Sequence, residues 1–153
     1  MQQKVKVIGI GNEFRSDDGA GLFAVRQLKR ECRSGVPMLE CTGDGTALMK
    51  LWSDADVVII IDAVSSGKPP GSIHRIDSAT GKLPSAFSAS THAFGLPEVF
   101  ALQKQIHSPV PRLIVYGVEG ANFRQGVGLS DAVSSGIAGI LAMVMEDLGE
   151  LAG

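Results

Sequence analysis

The run VVIIID at residues 57–62 is the stretch of this 153-residue sequence that decides the fold. Its first five residues are apolar and β-branched, which is typical of a strand covered on both faces in a parallel sheet. The run stops at Asp62, so we expect this carboxylate to stand where the strand ends. Since a carboxylate beside an apolar core is avoided unless it is hydrogen-bonded or functional, Asp62 is the first candidate for a site residue.

Strands and helices alternate on both sides of this run. Before it, a first strand at Val5–Ile10 leads into a helix from Gly19, where the apolar period becomes helical. The alternation predicts an α/β fold: a three-layer sandwich whose twisted five-stranded sheet is mostly parallel and carries helices on both faces. We expect one domain over residues 1–153. The other predicted elements are a strand at Met38–Thr42, a helix at Ala47–Trp52, an edge strand at Ser72–Asp77, a helix from Pro97 to about His107, a strand at Leu113–Val118 and a last helix capped by Ser130.

Composition and charge exclude several classes of function. The formal net charge is −2 and no run of Lys or Arg occurs, so we expect no nucleic-acid partner. The longest apolar stretch, Ile137–Met145, falls short of the ~18 residues of a membrane helix, so no membrane partner is expected. Cys32 and Cys41 form no disulfide framework, which predicts a cytoplasmic protein. Phe14 replaces the third glycine of a dinucleotide motif that starts at Gly9, so no organic cofactor is expected.

Polar candidates follow the predicted strands. Asp17 and Asp18 come after the first strand, Asp62 after the third, His92 in the loop after the fourth and Glu119 after the fifth. Ligands of parallel sheets bind beyond the carboxyl ends of the strands, so we expect all of these residues at one edge. The trio Asp18, Asp62 and His92 offers two carboxylates and one imidazole. Such a set suits a divalent transition metal that keeps coordination positions open for a substrate.

The acidic candidates also have structural interpretations. Asp17, which lies ahead of a helix, is better explained as an N-cap. Capping and ligation explain Asp18 equally well. Glu119 is either functional or a solvated acid of a loop.

The three histidines differ in what their positions explain. His74 on the predicted edge strand has an adequate structural role. His107, near a helix C-terminus, can interact with the helix dipole. His92 lies in a loop of small residues, which offers it no such role.

These residues belong to motifs that resemble the nickel-iron hydrogenase maturation endopeptidases, which trim the C-terminus of a hydrogenase large subunit. The resemblance covers about residues 5–130 in order and spacing. It departs from the family at Gly120, where family members often have proline. The matching segments are GIGN at 9–12, DDGAG at 17–21, GDGT at 43–46, IIDA at 60–63, STHAFGL at 90–96 and YGVE at 116–119.

The resemblance implies a site and a metal. The family's metal-contacting residues match Asp18, Asp62 and His92, the trio that the strand ends also suggest. The family further implies that the nickel is carried by the substrate rather than by the protease. The metal then either polarises a carbonyl or activates water, or else Asp18 and Asp62 act as an acid pair that shares a proton.

The resemblance also implies an activity, and two alternatives stay open beside it. The implied protein is an endopeptidase of the cytoplasm, a monomer that removes the C-terminal extension of a nickel-loaded hydrogenase large-subunit precursor. The first alternative is a non-catalytic, nickel-binding accessory protein of hydrogenase assembly. The second is a zinc or manganese hydrolase that holds its own metal and cleaves small peptides.

Overall fold

The protein is described by a computed structural model that covers residues 3–43, 45–80 and 110–152. A 3₁₀ helix at Ser16–Gly19 precedes the first α-helix. The strands are β1 (Val5–Ile10), β2 (Met38–Cys41), β3 (Val57–Val64), β4 (Ile73–Asp77) and β5 (Arg112–Glu119), and the helices are α1 (Ala20–Glu31), α2 (Gly45–Trp52) and α3 (Asp131–Ala152). The predicted helix from Pro97 to His107 lies outside the described residues.

The strands form one five-stranded sheet in the order β2-β1-β3-β5-β4. All neighbouring pairs are parallel except β4 and β5, which run antiparallel at one edge. The α/β fold predicted from the sequence, with its mostly parallel five-stranded sheet, is therefore confirmed. So is the prediction that residues 72–77 form an edge strand.

Apolar side chains cover both faces of the sheet because successive residues of each strand point to opposite sides. One core contains residues of α1 and α3, packed on alternate positions such as Ile59 and Ile61. The other contains Trp52 of α2, packed on the intervening positions such as Val58 and Ile60. The helices therefore lie on both faces, as the three-layer prediction requires.

The third strand is longer than the sequence predicts. Asp62 does not end it, because the parallel pairing with β5 continues from Asp62 opposite Gly117 to Val64 opposite Glu119. Every residue of β3 is buried, Asp62 included. The apolar run predicts where the strand begins, but its end is set by the length of the partner strand.

The fourth strand changes the expected position of the chain that follows it. Because β4 is antiparallel, Asp77 at its carboxyl end pairs with Ile114, near the start of β5. The chain therefore leaves β4 at the edge opposite Asp62, and the strand-end argument for His92 is wrong. His92 itself lies outside the described residues, so its place in the trio rests on the resemblance.

The first turn of α1 lies directly on the sheet. A Cβ atom on Gly21 would come within 2.3 Å of the carbonyl oxygens of both Ile10 and Ile61, and one on Gly9 would come within 2.1 Å of the Gly21 carbonyl oxygen. Such separations are possible only without side chains. Two glycines thus set how closely the helix that follows Asp18 approaches β1 and β3.

The last helix, α3, has the length and apolar composition of a membrane span. A helix packed in a protein core often passes the same test. Its buried residues Val133, Ile137, Ile140 and Val144 belong to the core that α1 and α3 form with the sheet. The hydroxyl of Ser130 accepts the backbone N–H of Val133 at 3.4 Å, so the predicted N-cap is confirmed.

We expect Gly21→Ala to destabilise the protein by at least about 2 kcal/mol, because the new methyl group meets backbone on two strands. Urea unfolding followed by circular dichroism measures the change. Gly149→Ala is the matched control, since its Cβ meets nothing within 4 Å and should stabilise exposed helix by roughly 0.5–1 kcal/mol. A Gly21→Ala protein as stable as the wild type would contradict the close approach.

Candidate functional site

The two carboxylates of the predicted trio that the structure describes lie on elements in contact. Asp18 belongs to the 3₁₀ helix, which packs against β3, the strand that carries Asp62. Asp18 is 1% exposed and Asp62 is 2% exposed. Both stand towards the carboxyl ends of the parallel strands. The structure thus places in contact the two elements that carry Asp18 and Asp62.

Asp17 has a structural task that differs from the predicted cap. The residue that caps the 3₁₀ helix makes no side-chain hydrogen bond, and Asp17 points instead at a distant loop. Its carboxylate accepts the backbone N–H groups of Ala121 at 2.8 Å, Asn122 at 3.0 Å and Ser130 at 2.8 Å, and the Ser130 hydroxyl at 3.0 Å. Asp17 therefore holds residues 121–130 and the start of α3 against the loop that carries Asp18.

Further contacts join the same two segments. Ser16 Oγ donates to the Arg124 carbonyl oxygen at 2.8 Å, and Arg15 pairs with Gly126 in a short parallel bridge. Ser16 has a φ of 53°, a left-handed conformation that is strained for a residue with a side chain. The loop that leads to Asp18 is therefore also fixed at the two residues that precede Asp17.

The departure from the family at residue 120 has a structural counterpart. A Cβ atom on Gly120 would come within 2.4 Å of the Phe123 ring and 3.2 Å of Asp17 Cβ. Glycine thus lets the Phe123 ring pack over the backbone beside Asp17. A residue with a side chain at position 120 would require this ring to move.

Glu119 is not a solvated loop acid. It is the last residue of β5, it is buried, and its carboxylate accepts hydrogen bonds from the Ser66 N–H at 3.1 Å, the Ser66 hydroxyl and His74 Nε2 at 2.9 Å. Burial alone would raise the pKa of Glu119, but the hydrogen bonds from Ser66 and His74 hold its pKa below the ordinary value. Reasoning from the sequence placed His74 on an edge strand without finding this contact.

Other buried acids have partners that explain them. Asp77, at the opposite edge of the sheet, accepts hydrogen bonds from Arg112, and the guanidinium holds the pKa of that carboxyl below its usual range. On the face covered by α3, Asp147 contacts Arg75 and the Tyr116 hydroxyl. Burial, reinforced by Asp147, raises the pKa of Tyr116 to about 12. These groups join β4, β5 and α3 and lie away from Asp18.

Two carboxylates alone do not make a closed metal site. In the described ranges 3–43, 45–80 and 110–152, no group of three His, Cys, Asp or Glu side chains is arranged to hold a metal ion. Carboxylate oxygens such as those of Asp18 and Asp62 are ligand types that divalent ions accept. His92, the third residue of the predicted trio, lies outside those ranges.

Similarity to known proteins decides the family. The family model for HycI, described as hydrogenase maturation protease, matches residues 24–147. This chain belongs to the hydrogenase maturation protease family. The hydrogenase expression/formation protein HupD of Thiocapsa roseopersicina is 30% identical over 151 residues, which are 96% of this chain and 68% of HupD.

Solved structures agree with the family. An endopeptidase from Escherichia coli superimposes with a TM-score of 0.83 at 26% identity, over 98% of this chain and 93% of that one. The hydrogenase maturating endopeptidase HybD from E. coli has the same fold, with a TM-score of 0.78 at 23% identity and the same coverage. This hydrogenase maturation protease is therefore a peptidase, and the predicted role in hydrogenase maturation is confirmed. The roles of Asp18, Asp62 and His92 stay predictions.

For this hydrogenase maturation protease we expect Asp17→Asn to lower the free energy of unfolding by about 2 kcal/mol, because an amide presents a donor where the carboxylate accepts four. Chemical denaturation measures the loss. Glu146→Gln on the exposed side of α3 is the control and should stay within about 0.5 kcal/mol of the wild type. If Asp17→Asn is equally harmless, Asp17 does not hold the 121–130 segment.

The lowered pKa of Glu119 predicts a dependence of stability on pH. A carboxyl whose pKa is lower in the folded than in the unfolded state stabilises the fold above the unfolded value of about 4.5, and this contribution is lost as the pH falls. The free energy of unfolding, measured by denaturation between about pH 6 and about pH 3, should fall less steeply in Glu119→Gln than in the wild type. Parallel curves would show that Glu119 keeps its ordinary pKa in the fold.

Proposed function

We propose that this hydrogenase maturation protease removes the C-terminal extension of a nickel-loaded hydrogenase large-subunit precursor in the cytoplasm. Asp18, Asp62 and His92 face the nickel of the precursor in this proposal. The observation that carries it is the packing of the 3₁₀ helix with Asp18 on the strand with Asp62, both carboxylates being buried at one edge of the sheet. The motif match supplies His92.

In this proposal the metal belongs to the substrate. Two carboxylates and one imidazole hold a divalent ion less tightly than a closed cage of cysteines and histidines, so the protease can release the nickel with its product. The ion would be both the signal that the precursor is loaded and the group that orients its C-terminal segment. A precursor without nickel would lack the contact that draws it into the site.

Two catalytic mechanisms are compatible with this geometry. In the first, the nickel polarises the scissile carbonyl or activates a water molecule, and the carboxylates only hold it. In the second, Asp18 and Asp62 share a proton and one of them accepts the proton of the attacking water, as in acid pairs. Both need the two carboxylates side by side. We favour the first, because it explains why cleavage would wait for the metal.

The surface beside Asp18 supports a protein as the substrate. Phe14 is 64% exposed and Val127 is 70% exposed, and the backbone N–H of Gly126 donates to the Phe14 carbonyl oxygen at 2.9 Å, which joins their loops. Where exposed apolar side chains of adjoining loops form a contiguous patch, they mark a contact with another protein. A groove of about 300 Å³ adjoins Phe14 and is lined by Gly11, Asn12, Glu13, Leu22 and Thr42.

The purified protease, incubated with nickel-loaded and nickel-free precursor, tests the proposal by intact mass spectrometry. We expect the loaded precursor alone to lose the mass of a C-terminal peptide. Equal cleavage of both forms would contradict recognition of the metal. Binding of the loaded form without any change of mass would assign the chain to the accessory proteins instead.

Single substitutions test the two carboxylates. We expect Asp62→Asn and Asp18→Asn each to slow precursor cleavage at least ~100-fold, as the loss of a group that acts on the reacting atoms does. The rate is measured by quantifying the released peptide, at a temperature where circular dichroism shows each variant to be folded. Glu146→Gln should cleave at the wild-type rate. An Asp62→Asn protease of normal rate would remove Asp62 from the site.

A further inference from the structure

The backbone and side-chain polar groups of Glu119 all bind residues between Ser66 and His74. Its backbone N–H donates to the Ser72 carbonyl oxygen at 2.9 Å, and its carbonyl oxygen accepts the Gly71 N–H at 2.8 Å. Its carboxylate accepts the N–H and the hydroxyl of Ser66 and contacts His74 Nε2. Both ends of the β3–β4 connection, residues 65–72, are thereby bound to the last residue of β5.

This connection begins two residues after Ala63, close to the proposed site. Asp62 is followed by Ala63 and Val64, the last residues of β3, and residues 65–70 are exposed. The Gly120 N–H donates to the Val64 carbonyl oxygen at 3.0 Å, so the paired end of β3 lies directly beside Glu119. A connection released from Glu119 would free the end of the strand that carries Asp62.

The register of the sheet puts Glu119 and Asp62 on the same face. Asp62 lies opposite Gly117, and Val64 lies opposite Glu119. Val64 belongs to the core on the α2 side, and side chains two residues apart on a strand share a face. His74 lies opposite Gly117 on the other side of β5, so it also faces the α2 side.

We propose that Glu119 is a positioning residue of the peptidase site: its carboxylate fixes the 65–72 connection to the end of β5 and thereby holds Asp62 in its working position. This inference rests on the proposed function, in which Asp62 faces the nickel of the precursor. The negative charge matters, because the carboxylate only accepts, whereas an amide would turn a donor towards Ser66 or His74. Glu119 acts on the reaction through β3 and touches no reacting atom.

Asp77 provides a matched control. It too is a buried carboxylate of the sheet that accepts several hydrogen bonds, from Arg112 and the Ala79 N–H, but it lies at the edge opposite Asp62. Asp77→Asn and Glu119→Gln therefore remove a similar set of contacts from the same sheet. A purely structural role of Glu119 predicts the same kinetic effect for both.

The experiment measures kcat and KM for cleavage of nickel-loaded precursor at a temperature where circular dichroism shows all variants to be folded. We expect Glu119→Gln to lower kcat at least ~10-fold with KM within about twofold, and Asp77→Asn to leave both within about twofold. Ser66→Ala, which removes only the hydroxyl donor from an exposed residue, should also lower kcat. In the Glu119→Gln background it should add little, because both changes break one network.

The outcomes separate the two proposals. A wild-type kcat in Glu119→Gln, or a loss equal to that of Asp77→Asn, overturns the positioning role while the proposed function stands, provided that Asp62→Asn is inactive in the same assay. An active Asp62→Asn overturns the proposed function and, with it, the reason for Glu119 to matter. A selective kcat loss in Glu119→Gln and Ser66→Ala supports the inference.

Discussion

The approach of α1 to the sheet at Gly9 and Gly21 is the contact on which the rest of the site depends. With no side chain at either position, the first turn of the helix lies on the backbone of β1 and β3. The 3₁₀ helix that precedes α1 is thereby brought against β3, and Asp18 comes to the strand that carries Asp62. A larger residue at Gly21 would separate these elements, because backbone on two strands cannot yield as a flexible side chain can.

The four buried carboxylates at this edge of the sheet have different roles. Asp17 holds the loop before α3, with four hydrogen-bond donors around it. Glu119 holds the β3–β4 connection. Asp17 is next to Asp18 in the sequence, and Glu119 lies opposite Val64, two residues after Asp62. Asp18 and Asp62 are the two carboxylates that we propose for contact with nickel. In the proposed function, these structural contacts would hold Asp18 and Asp62 in place for a metal that the substrate carries.

Local patterns predicted the elements but not their pairing. The apolar periods predict β1, α1 and α2 closely, and the five-residue run predicts where β3 begins. The end of β3 could not be predicted, since it depends on pairing with β5, more than fifty residues along the chain. For the same reason, the sequence did not predict that β4 runs antiparallel to β5. The residues of an edge strand do not show whether it pairs in the parallel or the antiparallel direction. Strand order therefore gave no valid reason to expect His92 at the same edge as Asp62.

Prediction of the acidic residues from the sequence has the same limit. Asp18 and Asp62 could be selected from the sequence because carboxylates beside apolar runs need an explanation. Glu119 could not be told from a solvated acid, because its partners Ser66 and His74 lie 53 and 45 residues away. Asp17 likewise looks like a helix cap until the loop at residues 121–130 is seen around it. The role of a buried acidic residue thus depends on residues that contact it in the fold, and these cannot be identified from the sequence alone.

The central claim is that Asp18 and Asp62 form the nickel-facing part of the site together. Crystals of the protease soaked in Ni²⁺ and measured at the nickel absorption edge test it most directly, because the anomalous signal marks the metal alone. We expect an anomalous peak bounded by both carboxylates, and no such peak in crystals of Asp62→Asn. A peak that stays in Asp62→Asn, or nickel bound only at other residues, would contradict the account.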